Sequence, residues 1–396
     1  MDIHQTVPGP RHRLPFYPGH FLVAMATVSL GPLLDPMMQD LSIPLSQGGL
    51  INGILFVGSA LGIVLFNVAQ SHLVAKWWFA GSTAFLALGL ILAGTAAHSL
   101  WAVCLAYSAV GLSIAVMLAV SFMWLAVHLR EKMATSALVL TIFFGMAMIS
   151  VPVIIGQALE RGWTWRHVLM VEGGVALVAA LAFALMPLLD IPGRQNVRLT
   201  HLREAASHNR GLLLAILGAG FTYTGAEFVL NVWLPKFQIE VFSSSDAFAS
   251  LAVTLFWTGE VTGRLFFVPL ARRVEPARLL LVCTCVMAVF TTSMSFASSA
   301  TSAVVLAALA GLAASPCYAL IASYSGAFPG WKSGVVSSLF VLSGAPGGML
   351  FPYLIGPLAD SAGFRIALAA VAVPILASGA FALLLHARSR KHAPVH

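Results

Sequence analysis

Asp35, Glu172, Glu227, Glu260 and Arg264 each stand inside a long apolar run of this chain. An ionisable group in such a place either has a partner or a task. The tightest spacing is in "LFWTGEVTGRL", where Glu260 and Arg264 are four residues apart. On a helix they share a face. They can form an ion pair that braces it, or Arg264 can attract an anionic or hydroxyl-rich solute while Glu260 tunes it or exchanges a proton. Trp257 and Thr254 lie on broadly the same side, adding an apolar face and a hydrogen-bonding group.

In "FTYTGAEFVLNVWLPKF", Tyr223, Glu227 and Asn231 recur every four residues, a polar stripe that either packs against another helix or lines a cavity. Glu227 has no cation beside it on its own helix, which suits a proton carrier. Asp35, between Pro32 and Pro36, either marks a helix end or binds a proton or solute at the outer mouth. Glu172 is expected to pair with Arg166 or His167 and to be structural. Trp124, in helical register with Met117 and Ser121, and Tyr318, after Ser315 and Pro316, are core residues or platforms that stack on a solute.

The elements that must hold these residues are membrane spans. Hydrophobic residues make up 59% of the 396 and charged ones 9%, with a mean hydropathy of +0.92, which excludes an ordinary soluble domain. Twelve apolar runs are long enough to cross a bilayer as helix, at about 18–38, 46–70, 77–97, 101–127, 135–158, 168–188, 211–235, 248–270, 277–297, 302–324, 334–357 and 366–387. None alternates as a barrel strand does. Sixteen Lys and Arg fall on the side of both termini and four (Arg161, Arg166, Lys236, Arg365) on the other. Both termini are therefore expected in the cytoplasm, and the pI near 9.5 reflects topology, with no nucleic acid as partner; short loops and the absence of an Asn-X-Ser/Thr site point to a bacterial inner membrane. The first span lacks a signal-peptide cleavage site and is expected to be retained.

The longest polar interruption, 190–210, divides the chain into six spans and six, predicting an N-terminal bundle over 1–189, a cytoplasmic central loop, and a C-terminal bundle over 211–396. The halves repeat. Pro152 and Gly156 match Pro352 and Gly356 at an offset of 200, Arg166 matches Arg365 at 199, and Gly58 and Gly62 match Gly259 and Gly263 at 201. Two equivalent six-helix bundles with a polar cavity between them suit alternating access. Glu260 and Arg264 correspond to Ser59 and Ile63, so the repeated frame does not itself require the charges.

Cys104, Cys283, Cys285 and Cys317 all lie in apolar spans, which argues against a disulfide framework. The histidines have no ligand spacing, so no metal is expected. A phosphate-binding Gly-Lys-Ser/Thr loop is missing, as is a nucleophile and base pair. The chain reads as a transporter rather than an enzyme, without a cofactor. Its expected partners are a small-molecule solute, protons and the lipid bilayer; it is expected to act as a monomer and to draw on a proton gradient.

Over its full length the chain resembles the major facilitator superfamily, on its twelve spans, two-fold repeat and "GRLFFVPLARRV" after the eighth span. It is more specifically similar to the fucose permease-like symporters of fucose, galactose and glucose. "YTGAEFVLNVWLPKFQIEVF", "LFWTGEVTGRL" and "SSLFVLSGAPGGMLFPYLIGPLADSAGFR" carry that likeness, and "LDPMMQDLSIPLSQGGL" places the permeases' proton-linked aspartate at Asp35. The resemblance implies proton-coupled uptake of a small polar, sugar-like solute by rocking bundles, with spans 1, 4, 7 and 10 around a central site. The permeases' fourth-span acidic residue has no counterpart near Ala115, and Arg272 stands where the loop signature has an aspartate. An organic-anion carrier, favoured by Arg264, and a drug or siderophore exporter are the alternatives.

Overall fold

The computed structural model describes residues 10–129, 133–191, 204, 207, 209–271, 273–329 and 331–390, and among these there is helix but no strand. The first half comprises α1 (Phe16–Val28), α2 (Leu30–Asp40), α3 (Leu45–Ala69), α4 (Ala75–Thr95), α5 (Leu100–His128), α6 (Met133–Glu160) and α7 (Trp165–Leu185). The second comprises α8 (Arg210–Phe242), α9 (Asp246–Leu270), α10 (Pro276–Ser295), α11 (Ala300–Ala314), α12 (Cys317–Ser323), α13 (Trp331–Ala362), α14 (Phe364–Ala369) and α15 (Ala372–Arg390). Among the described residues eleven helices are long and apolar enough to cross a membrane, counting α11 with α12 and α14 with α15 as one each, and the bent pair α1 and α2 makes a twelfth span. The result is a multi-pass membrane protein of two pseudo-symmetric six-helix bundles.

Three spans break beside prolines, while α6, α8, α9 and α13 run unbroken through theirs. The first bends by 41° at Ser29, where Pro32 lacks the N–H that would bond the carbonyl of Val28. Span 10 breaks at Ser315 and Pro316, between α11 and α12, and the last breaks four residues before Pro374, between α14 and α15. The seventh span runs on to Phe242, beyond the apolar run that ends near 235, because Lys236 and Glu240 pair with each other. Arg130, Lys132, Arg194, Arg198, Arg203, Arg272, Lys391 and most of the 190–210 connection lie outside the described residues.

The sequence repeat is a repeat of contacts. A Cβ on Gly58 or Gly62 of α3 would strike the backbone of Ser108 or Leu112 on α5; on Gly259 of α9 it would strike Ala308 and Leu312 of α11, 200 residues further on. The small residues are there because the helix backbones touch. The capping serines Ser99 and Ser299 start α5 and α11. Arg166 donates to the carbonyl of Ala97 and Arg365 to that of Ala297, both at 2.9 Å. Gly162 and Gly363 have φ of 85° and 86°, a backbone that side chains with a Cβ rarely adopt.

By contacts the chain forms two compact units. One takes in Met1–Ser29, Val57–Val151 and Trp163–Val197; the other takes in Leu30–Phe56, Pro152–Gly162 and Arg198–His396. The first is built on an aromatic core in which Phe16 meets Phe79 at 5.0 Å and Trp124 at 5.2 Å, and Phe79 meets Phe183 at 5.2 Å. The second draws α2, the start of α3 and the end of α6 onto the helices of the second half.

Candidate functional site

The second unit brings together most of the polar residues that stand inside its spans. The stripe on α8 turns inward: Tyr223 and Asn231 are fully buried and Glu227 nearly so. Tyr223 Oη is 3.2 Å from Glu227 Oε1 and 3.0 Å from the carbonyl of Ala314. That carbonyl belongs to the last turn of α11, where the break at Ser315 and Pro316 takes away its helical donor. The broken span therefore supplies an acceptor that a continuous helix would have used internally.

From α9, Arg264 Nη2 donates to Glu260 Oε1 at 3.1 Å, closing the ion pair that the four-residue spacing allows. The Glu260 side chain is 8% exposed and that of Arg264 is 38% exposed. The carboxyl group of Glu260 also lies beside that of Glu227, and the Arg264 charge acts on both. Trp257, one turn before Glu260, donates its indole N–H to Asn231 Oδ1 at 2.9 Å. Thr254, one turn before that, is buried too.

Tyr318, on α12, stands 6.5 Å from the Tyr223 ring and 4.9 Å from Phe340, centroid to centroid, and keeps 40% of its surface exposed. The arrangement is a knot of two carboxyl groups, one guanidinium, one phenol and one amide, with an aromatic ring at its open edge. Glu260 Oε2 and Ser315 Oγ are buried without a hydrogen-bond partner, and Ser315 packs against Gly263 on the same helix as Glu260. Unsatisfied acceptors of this kind give a hydroxyl or amine group something to bind.

Trp124 lies elsewhere, in the core of the first unit. It is fully buried, in tilted ring contact with Phe16 and His128, with its indole N–H on the carbonyl of Leu189 at 2.9 Å. Glu172 is in the same unit, and its pairing needs correction. Ser29, at the break in the first span, donates to it at 2.5 Å, whereas Arg166 reaches the carbonyl of Ala97 and His167 completes the cap of α7 at Thr164. Helix rotation explains this: Arg166 and His167 start α7, while Glu172 sits almost two turns along, facing α1.

Asp35 has a partner that its own stretch of sequence does not reveal. Lys236, on α8, meets Asp35 Oδ1 at 2.5 Å and Glu240 at 3.0 Å, while Gln39 donates to Asp35 Oδ2 at 2.8 Å. The two helices close here because Gly31 lets α2 lie against the backbone of Asn231. The only sequence signal was a lone lysine at the far end of the seventh apolar run. Among the described residues no group of three or more His, Cys, Asp or Glu side chains could hold a metal ion.

Residues 16–250 and 216–395 match the family model described as the Major Facilitator Superfamily. No curated protein sequence is similar enough to count as a relative. Among solved structures, a bacterial homologue of the human lysosomal transporter Spinster, inward-facing and unoccupied, superposes with a TM-score of 0.81 at 14% identity, over 98% of this chain and 100% of that one. The D-xylose-proton symporter gives 0.74 at 14% identity over 97% and 98%. The nucleoside transporter NupG gives 0.71 at 15% identity over 97% and 99%. At these identities the likeness is one of fold.

Proposed function

Since this chain belongs to the major facilitator superfamily and is a transporter rather than an enzyme, we propose that it carries a small polar, sugar-like solute inward by alternating access, coupled to protons. One observation carries this reading: Tyr223, Glu227, Glu260 and Arg264 form one linked polar group inside membrane spans, and Asn231 and Trp257 form a hydrogen-bonded pair on the same two helices. Charges buried at such depth are expensive, and packing alone does not call for them. The other half carries Ser59 and Ile63 at the corresponding positions and folds with the same helix contacts.

In this reading Glu227 takes up the proton, the exposed edge of Arg264 and Tyr318 meets the solute, and Trp257, fixed by Asn231, gives it an apolar wall. Asp35 is the second proton-coupling candidate, gated by its pair with Lys236. With both glutamates ionised the knot of Glu227, Glu260 and Arg264 sums to one negative charge, which a proton neutralises and an anionic solute worsens. That sum weighs against the organic-anion alternative. The likeness of the seventh and eighth spans to the fucose permease-like symporters supports a sugar-like solute.

Uptake by proteoliposomes of the purified protein tests the proposal. A pH gradient, acid outside, should drive accumulation of the solute; counterflow that ignores the gradient would exclude proton coupling. Glu227→Gln should keep counterflow and lose gradient-driven accumulation, and full accumulation by that variant would remove Glu227 from the mechanism. A thermal-shift screen of sugars, organic acids and chelating compounds identifies the solute to be used.

A further inference from the structure

Twelve crossings alternate sides, so the loops after the first, fifth, seventh and eleventh spans share the face opposite the termini. Two carboxylates there do the same thing. Glu160, the last residue of α6, accepts from the backbone N–H of Ala247 in the first turn of α9 at 3.2 Å. Asp360, near the end of α13, accepts from the backbone N–H of Ser46 in the first turn of α3 at 3.0 Å. The carboxylates are 200 residues apart and the two N–H groups 201.

Each contact joins one half of the chain to the other, with the roles of the halves exchanged. A glycine one turn before each carboxylate lets the backbones meet: Gly156 lies on Asp246 and Ala247, and Gly356 on Leu45 and Ser46. All four segments belong to the second compact unit. A helix N-terminus presents unpaired N–H groups and a partial positive charge, so a carboxylate from a neighbouring span satisfies both at once.

We propose that Glu160 and Asp360 are a duplicated pair of latches that hold this face shut and must let go each time the carrier opens there. The inference rests on the alternating-access reading above but not on the solute or the proton. The two latches are unequal. The end of α9 keeps a cap of its own, Ser245, and carries Asp246 in its first turn. The end of α3 follows Pro44, which has no side-chain acceptor, so Asp360 is the cap. Loss of a helix cap changes an equilibrium about fivefold, the factor for ~1 kcal/mol. A latch of that strength biases the carrier toward the closed face and still permits turnover.

Ser250 reports on opening, since it is 1% exposed and lies against Gly156. Ser250→Cys is made in a chain whose four native cysteines are replaced by alanine, and its labelling by a water-soluble maleimide is timed in lipid nanodiscs without any solute. Asp360→Ala should raise the rate about fivefold and Glu160→Ala by less, because Ser245 remains; the double variant should approach the product of the two. Asp360→Asn, which keeps an acceptor oxygen, should fall between parent and Asp360→Ala, and it gives the reading if the alanine variant does not fold. Labelling of the folded double variant within twofold of the parent overturns the latches. Failure of gradient-driven uptake with labelling raised as expected would count against the proposed function and leave the latches standing.

Discussion

Replacing Arg264 by glutamine removes the one cation from a knot that holds two carboxyl groups. Breaking a fully buried ion pair costs about 3–5 kcal/mol, and breaking an exposed one less than about 1 kcal/mol. Here Glu260 is 8% exposed and Arg264 38%, so an intermediate value of about 2 kcal/mol applies, or roughly thirtyfold in the folding equilibrium. Most of that loss is the stranded carboxylate rather than the missing bond. Removing the charge of Glu260 as well, in Glu260→Gln with Arg264→Gln, should therefore recover more than half of it, a coupling of about 1–1.5 kcal/mol. The assay is a double-mutant cycle on the purified protein, by denaturant titration in mixed micelles. An Arg264→Gln variant as stable as the parent, or a double variant no better than Arg264→Gln alone, would refute the reasoning. Uptake by the same variants separates the two roles of the pair. A mere brace would let the double variant transport again, whereas a guanidinium that meets the solute leaves it stable and inactive.

Trp257→Phe keeps an aromatic ring, though a smaller one, and loses the N–H held by Asn231 Oδ1; solute KM should rise several-fold with stability lowered by about 1 kcal/mol, read by uptake kinetics and unfolding. Lys236→Gln strands Asp35 at 6% side-chain exposure and should destabilise more than Lys236→Gln combined with Asp35→Asn, by the same unfolding titration. Gly58→Val and Gly259→Val force apart equivalent helix pairs, since each new side chain meets backbone; each should cost about 1–3 kcal/mol, and two very unequal costs would count against the contact repeat. Arg166→Met and Arg365→Met each lose a charged donor to a span-end carbonyl, and both should lower stability by about 1.5–3 kcal/mol in the same assay.

Apolar length alone marked the twelve spans, because a backbone in lipid has no option but helix once a run exceeds about 20 residues. The duplication was legible too, since glycines and prolines that let backbones touch are retained at a fixed offset, and the contacts of Gly58 and Gly259 show why. The stripe on α8 and the pair on α9 were legible separately, because residues four apart share a helix face whatever surrounds them. Their union was not: that Glu227 lies beside Glu260 depends on how α8 and α9 rotate against each other.

The same limit explains what was missed. Asp35 and Lys236 are 201 residues apart, Ser29 and Glu172 143, and Tyr223 and the carbonyl of Ala314 91, so no local pattern signals them. Trp124 shares its helical register with Met117 and Ser121, yet Phe16 and the carbonyl of Leu189 enclose it. Local chemistry and hydropathy act along one helix, so the sequence by itself determined the class of the protein, its spans and the candidate charges. Which charge meets which is set by helix rotation and by breaks at proline, and these are decided only when many side chains from distant spans pack at once. Tertiary structure alone therefore turned five isolated ionisable residues into one knot, one ion pair with Lys236 and one carboxyl hydrogen-bonded to Ser29.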